Sequence, residues 1–159
     1  MRGAARFHEY GDPEVLVIEE VPIPTPGAGD VLVTVRAAGV NPVEWKIRRG
    51  AREVPLPAGL GSDVAGVVDA VGAWVTEVSA GDEVFGVSTT PSYAEYALAK
   101  PSQLACKPAT VPWAMRRGAP MTYRRDSCRA LVPLHPTHTD AHRLLALHMR
   151  TRPNERSSP

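Results

Sequence analysis

Thiols are nearly absent from this chain. Cys106 and Cys128 are the only two in 159 residues, too few for a disulfide framework or a cysteine-built metal cluster. Aromatic residues are sparse at 6%, with no pattern suited to stacking the bases of a nucleic-acid strand. No run approaches the roughly 18 apolar residues of a membrane span. Met1 to Tyr10 is basic but has no apolar segment of the secretory type. The net charge is only +1, so charge balance favours neither nucleic acid nor a membrane surface as partner. There is no G-x-G-x-x-G; Gly59-Leu60-Gly61 is too short to cradle phosphates, and no helix signal follows it. These absences predict a soluble, cytoplasmic protein with no nucleic acid and no membrane partner, and with no dinucleotide pyrophosphate loop in these residues.

What is abundant is unevenly placed. Residues 1–113 hold 18 Val and 12 Gly, whereas residues 114–159 hold one of each, Val132 and Gly118. The later stretch carries nine Arg, four His and no Lys, against three acids, Asp126, Asp140 and Glu155. Two kinds of sequence meet near Ala114, so the predicted organisation is one domain over 1–113 and a separate tail over 114–159.

The first part reads as short strands between turns. Gly11-Asp12-Pro13 precedes Val15 to Ile18, and Pro22, Pro24 and Pro26 forbid regular pairing after Val21. Asp30 to Ala37 alternates, with Val31, Val33 and Val35 on one face and Leu32, Thr34 and Arg36 on the other. Val64 to Val71, Glu83 to Val87, Tyr93 to Ala99 and Leu104 to Lys107 complete the strand set, with turns at Gly72 and Gly81-Asp82. One short helix is predicted from Pro42 to Gly50: Asn41 suits the N-cap, Pro42 the first turn, Glu44 the positive end of the dipole, and Gly50 the position after the last turn. Many short strands without alternating helices predict a mainly β fold, a barrel or sandwich, and not a doubly wound sheet.

Four segments occur in a telling order. They are Ala37-Ala38-Gly39-Val40-Asn41-Pro42-Val43-Glu44-Trp45-Lys46, then Gly61-Ser62-Asp63-Val64-Ala65-Gly66-Val67-Val68, then Val71-Gly72 with Gly81-Asp82-Glu83-Val84-Phe85-Gly86, and last Tyr93-Ala94-Glu95-Tyr96. Together they closely resemble the N-terminal, GroES-like barrel domain of the medium-chain dehydrogenase/reductase superfamily, over about residues 5–113. Zinc alcohol dehydrogenases of that superfamily carry a zinc-binding Cys at the position of Asn41 and a His-Glu pair at Ser62-Asp63. Asn and Ser are poor zinc ligands, and the four-cysteine structural zinc loop is missing. The chain therefore resembles the zinc-free branch of quinone and enone (alkenal) reductases, which use NADPH and bind no metal.

That resemblance implies hydride transfer from nicotinamide to a quinone or an enone, in a cleft between this barrel and a Rossmann domain that holds the cofactor. Asn41 matches a family Asn near nicotinamide and substrate, a role compatible with capping a helix. Lys46 matches a position held by Tyr or Lys in relatives, and its ammonium suits an oxyanion or the nicotinamide ribose; a solvated surface lysine is the plain alternative. Asn41 and Lys46 are the candidate catalytic residues. Asn41, Glu44, Lys46 and Asp63 are the candidate cofactor contacts; Glu44 matches an acidic family position that suits a proton relay and equally suits complementing the helix dipole, and Asp63 is more suited to bonding loop amides. Tyr93 and Tyr96 read as core or rim residues.

Past Trp113, only Pro120-Met121-Thr122-Tyr123 and Arg129-Ala130-Leu131-Val132 echo the family's crossover to its Rossmann domain. His135, His138 and His142 have a spacing open to metal binding, but their Arg-rich, Pro-broken context favours a solvated tail. Leu144, Leu145, Leu147 and Met149 offer too little apolar surface to fold alone. The tail is predicted to be degenerate or frame-shifted and poorly ordered, and the whole to be a catalytic-barrel fragment inactive by itself. A non-enzymatic barrel that binds a protein partner, or a non-functional remnant, is the alternative. The residues set no oligomeric state.

Overall fold

The computed structural model describes residues 1–108, 113 and 131–133. The readings for Cys128, for His135, His138 and His142, and for nearly all of the tail lie outside the described residues. Among the described residues no helix is long and apolar enough to cross a membrane.

Strand β1 (Arg2–Phe7) pairs antiparallel with β2 (Leu16–Val21), from Arg2 opposite Val21 to Phe7 opposite Leu16. The connection tightens into a 3-10 turn at Pro13–Val15, where Pro13 presets the backbone. β2 ends at Val21 because Pro22 lacks the N–H that the ladder would use next. A two-residue strand, β4 (Ala58–Gly59), adds to the other side of β1.

The second sheet is built on β3 (Val31–Gly39), β5 (Asp63–Val71), β6 (Glu83–Ser88) and β7 (Tyr96–Cys106). β5 pairs β6, β6 pairs β7, β7 pairs β3, and β3 pairs β5. The four strands thus close on themselves into a small barrel, which removes the open edges a flat sheet would leave. β8 (Leu131–Pro133) pairs with Ala37–Gly39 of β3, beyond the point where β7 has left it. The one α-helix among the described residues, α1 (Pro42–Arg48), follows β3 directly.

The expected alternation in β3 holds for Val31, Val33 and Val35, all buried in the barrel core with Phe7, Leu60, Val64, Val68, Val84 and Tyr93. The opposite face differs from the expectation at one end. Leu32 is buried as well, only Thr34 and Arg36 reach solvent, and past the bulge Ala38 joins the same core as Val31, Val33 and Val35. The register shift between Val35 and Ala37 marks a bulge that bends the strand there. The sequence also predicts two strands where β7 is one, running through Pro101. That proline sits between the stretch that pairs with β3, Tyr96 to Ala99, and the stretch that pairs with β6 from Leu104 onward.

Candidate functional site

α1 begins as its sequence dictates. Asn41 is extended (φ −118°, ψ 157°) and Pro42 occupies the first turn. The Asn41 backbone N–H donates to Glu44 Oε2 at 2.7 Å, so the helix's own third residue closes its N-terminus. At the other end Gly50 adopts a left-handed φ of 83°, and its N–H donates to Ile47 O at 2.9 Å.

The helix is turned unusually. Asn41, Glu44 and Arg48 are its buried residues, while Trp45, Lys46 and Arg49 face solvent. Positions i, i+3 and i+7 share one helical face, and here that face is polar. Arg48 donates from Nη1 to Gly11 O and anchors the helix to the turn before β2. Burial lowers the proton affinity of its guanidinium.

Asp63 opens β5 and meets the helix start. Asn41 Nδ2 donates to Asp63 Oδ2 at 2.8 Å, and both residues are buried. A side chain at Gly39 would place its Cβ 2.5 Å from that same Oδ2, so glycine there is what lets the carboxylate approach. The expected bonding of Asp63 to loop amides is not what the carboxylate does. Its backbone is held in the β5–β6 ladder opposite Val87, and its carboxylate points at the end of β3 and at Asn41. Ser92 Oγ donates to Asp63 O at 2.9 Å, and Ser62 Oγ lies 3.4 Å from Glu44 Oε1. Tyr93 is buried behind them, and among the described residues its hydroxyl has no hydrogen-bond partner, nor does Asp63 Oδ1.

The electrostatics follow from this burial. Desolvation raises the Glu44 pKa above the usual carboxylate range, against hydrogen bonds from its own backbone and from Asn41 that favour the charged form; Asp63 adds a further upward push. Desolvation also raises Asp63, with the Asn41 amide opposing. The Tyr93 phenol is pushed well above its ordinary value by burial and by the two nearby carboxyls.

Asn41, Glu44 and Asp63 are therefore brought together, and Lys46 is not. Its ammonium lies over the exposed Trp45 ring, 5.7 Å from the centroid, with the Arg49 guanidinium 5.6 Å from the same ring. Sequence reasoning passed over Arg48 and the contact of Ser62 with Glu44, while Tyr93 is a core residue as expected. The i, i+3, i+7 spacing of Asn41, Glu44 and Arg48 was the available signal for the first of these.

Asn41→Ala should destabilise the fold by about 2 kcal/mol, since it removes an N-cap residue and leaves a buried Asp63 oxygen unpaired. Denaturant unfolding of the two proteins checks this.

Among the described residues no three His, Cys, Asp or Glu side chains gather in a way that would hold a metal ion. A pyrophosphate has no evident seat among them either. The N-terminus of α1, the usual place for phosphate oxygens, is capped by the Glu44 carboxylate, and a second buried acid adjoins it. What the described residues can offer a ligand is the Asn41 amide, oriented by Asp63; Lys46, on the same short helix, lies over Trp45 instead.

Residues 27–135 match the alcohol dehydrogenase GroES-like domain. The chain belongs to that family. This GroES-like domain is 44% identical to the quinone oxidoreductase of Mus musculus over 133 residues, 80% of the chain and 40% of the mouse protein. It is 37% identical over 128 residues to the chloroplastic NADPH-dependent alkenal/one oxidoreductase of Arabidopsis thaliana, covering 72% of the chain and 33% of that protein. The structure of Escherichia coli quinone oxidoreductase complexed with NADPH superposes with a TM-score of 0.67 at 33% identity, over 70% of the chain and 35% of that structure. The GroES-like chain thus falls in the quinone oxidoreductase branch of the medium-chain dehydrogenase/reductase superfamily, and it spans 40% of the length of its mouse relative. The family match continues past residue 113, where the composition changes, to residue 135.

Proposed function

We propose that this chain is the substrate-side wall of a zinc-free, NADPH-dependent reductase of quinones or enones, and that these 159 residues are inactive without a cofactor-binding domain. The single observation that carries the reading is Asn41, its side-chain amide held by Asp63 and its backbone N–H by Glu44, at the position where zinc-dependent members of the resembled superfamily carry a metal ligand. An amide held in this way is preorganised, and preorganised polar groups are what stabilise developing charge. The relatives' names supply the substrate and cofactor classes: quinone for the mouse protein and alkenal or enone with NADPH for the plant protein.

In this reading Asn41 positions the substrate side of the cleft, Lys46 swings off Trp45 to meet the oxygen on which charge develops, and Glu44 and Asp63 hold Asn41 in place without touching the cofactor. The nicotinamide would supply hydride when bound, and its phosphates would be held by the cofactor-binding domain. The test is a chimera in which residues 1–113 are fused to the cofactor domain of a quinone oxidoreductase. Asn41→Ala in the chimera should lower kcat/KM about a hundredfold. Lys46→Ala should lower it by a smaller factor, about tenfold, because an exposed charge is screened by water and salt. Turnover unchanged by both substitutions would remove these residues from the site.

A further inference from the structure

Glu44 and Asp63 are 2% and 1% exposed, and both bind the same residue: Asn41 gives its backbone N–H to Glu44 Oε2 and its side-chain Nδ2–H to Asp63 Oδ2. No cation is bonded to either among the described residues. Arg48, one turn further along α1, turns its guanidinium to Gly11 O, and Lys46 lies out over Trp45. The other groups that face the pair are neutral: Ser62 beside Glu44, Ser92 on the Asp63 carbonyl, and the Tyr93 phenol. Two buried carboxylates on one asparagine with no counter-charge would be expensive to keep ionised together.

We infer that Glu44 and Asp63 form a single proton-holding site, which carries one proton between them at neutral pH and serves as the proton reserve of the cleft wall. The direction in which burial moves both groups agrees with this. The proton is shared by the pair: Glu44 Oε1 has only the long contact to Ser62, and Asp63 Oδ1 has no hydrogen-bond partner among the described residues. The consequence for chemistry rests on the reductase reading. Hydride addition to a quinone supplies two electrons and one hydrogen and leaves an oxyanion. Transfer of the reserve proton to that oxygen completes the quinol and leaves the pair doubly ionised, and water restores the proton.

The pair is testable on the 159-residue chain with no cofactor and no turnover. Infrared spectra across pH 4 to 9, in H2O and D2O, should show one protonated-carboxyl C=O band at pH 7 that shifts in D2O. Asp63→Asn should cut the proton affinity of Glu44 about tenfold or more, the effect of removing one like charge at close range. Glu44→Gln should abolish the neutral-pH band, while Ser62→Ala leaves it in place. Near-UV circular dichroism shows which variants are folded, and the wild-type titration decides the matter if one is not. A wild-type protein with no protonated carboxyl at pH 7 overturns the inference, and so does a midpoint that Asp63→Asn leaves unmoved. Absence of the band in a chain whose chimera still reduces quinone would sink the pair and spare the reductase reading.

Discussion

Calorimetric titration of the 159-residue chain with NADPH should give a dissociation constant no tighter than millimolar. A nicotinamide dinucleotide draws most of its affinity from a pyrophosphate seat, usually free N–H groups and the dipole at a helix N-terminus next to a glycine-rich turn. The chain has no such turn, and the N-terminus of α1 is closed by the Glu44 carboxylate with Asp63 beside it. Negative charge there repels phosphate. Asn41 and Lys46 can meet only the nicotinamide end, and one or two hydrogen bonds contribute roughly 1–3 kcal/mol. A micromolar complex needs about 8 kcal/mol and a millimolar one about 4 kcal/mol. Micromolar binding by the chain alone would mean a phosphate site among residues that carry no glycine-rich turn.

The largest expected effect on folding comes from one methyl group. Gly66→Ala should destabilise the barrel by more than about 3 kcal/mol, enough to unfold much of a domain of ordinary stability. Gly66 lies on β5 opposite Val35, beside the bulge in β3. A Cβ there would stand 2.1 Å from Thr34 O and 2.7 Å from a Val33 methyl. The first of these is backbone in the central ladder and cannot move aside without breaking the β3–β5 pairing that closes the barrel. Val33 is fully buried in the core, so its side chain has nowhere to go. Thermal or denaturant unfolding of the variant measures the loss; stability within 1 kcal/mol of wild type would show that β3 and β5 are not as close as described.

Much of this architecture was legible because it is written in local patterns. The alternation of Val31, Val33 and Val35 and the Asn41-Pro42-Glu44 start of the helix specify their structures within a few residues. β1 was not legible. Arg2-Gly3-Ala4-Ala5-Arg6-Phe7 has no alternation and few β-branched residues, and it becomes a strand only because β2 and β4 pair with it on both sides. The same holds for β4, two residues long, whose pairing with Arg6 and Phe7 is a long-range contact with no local signature. At the site, Asn41, Glu44 and Asp63 were found through their neighbours in sequence, but the Asn41–Asp63 bond joins residues 22 apart and depends on Gly39 leaving room for it. Lys46 shows the converse. Its spacing from Asn41 on a helix suggested a shared end of the cleft, but five positions along a helix is well over one turn, which carries it to the solvent face beside Trp45.

The central claim is that this barrel is the working wall of a metal-free quinone reductase. The most direct measurement is NADPH-dependent quinone reduction by the chimera of residues 1–113 with a quinone oxidoreductase cofactor domain, purified and assayed in the presence of a strong zinc chelator. The account predicts turnover that chelation does not diminish and that added zinc does not raise. A folded chimera that binds NADPH yet reduces no quinone, or that does so only when zinc is supplied, would contradict it.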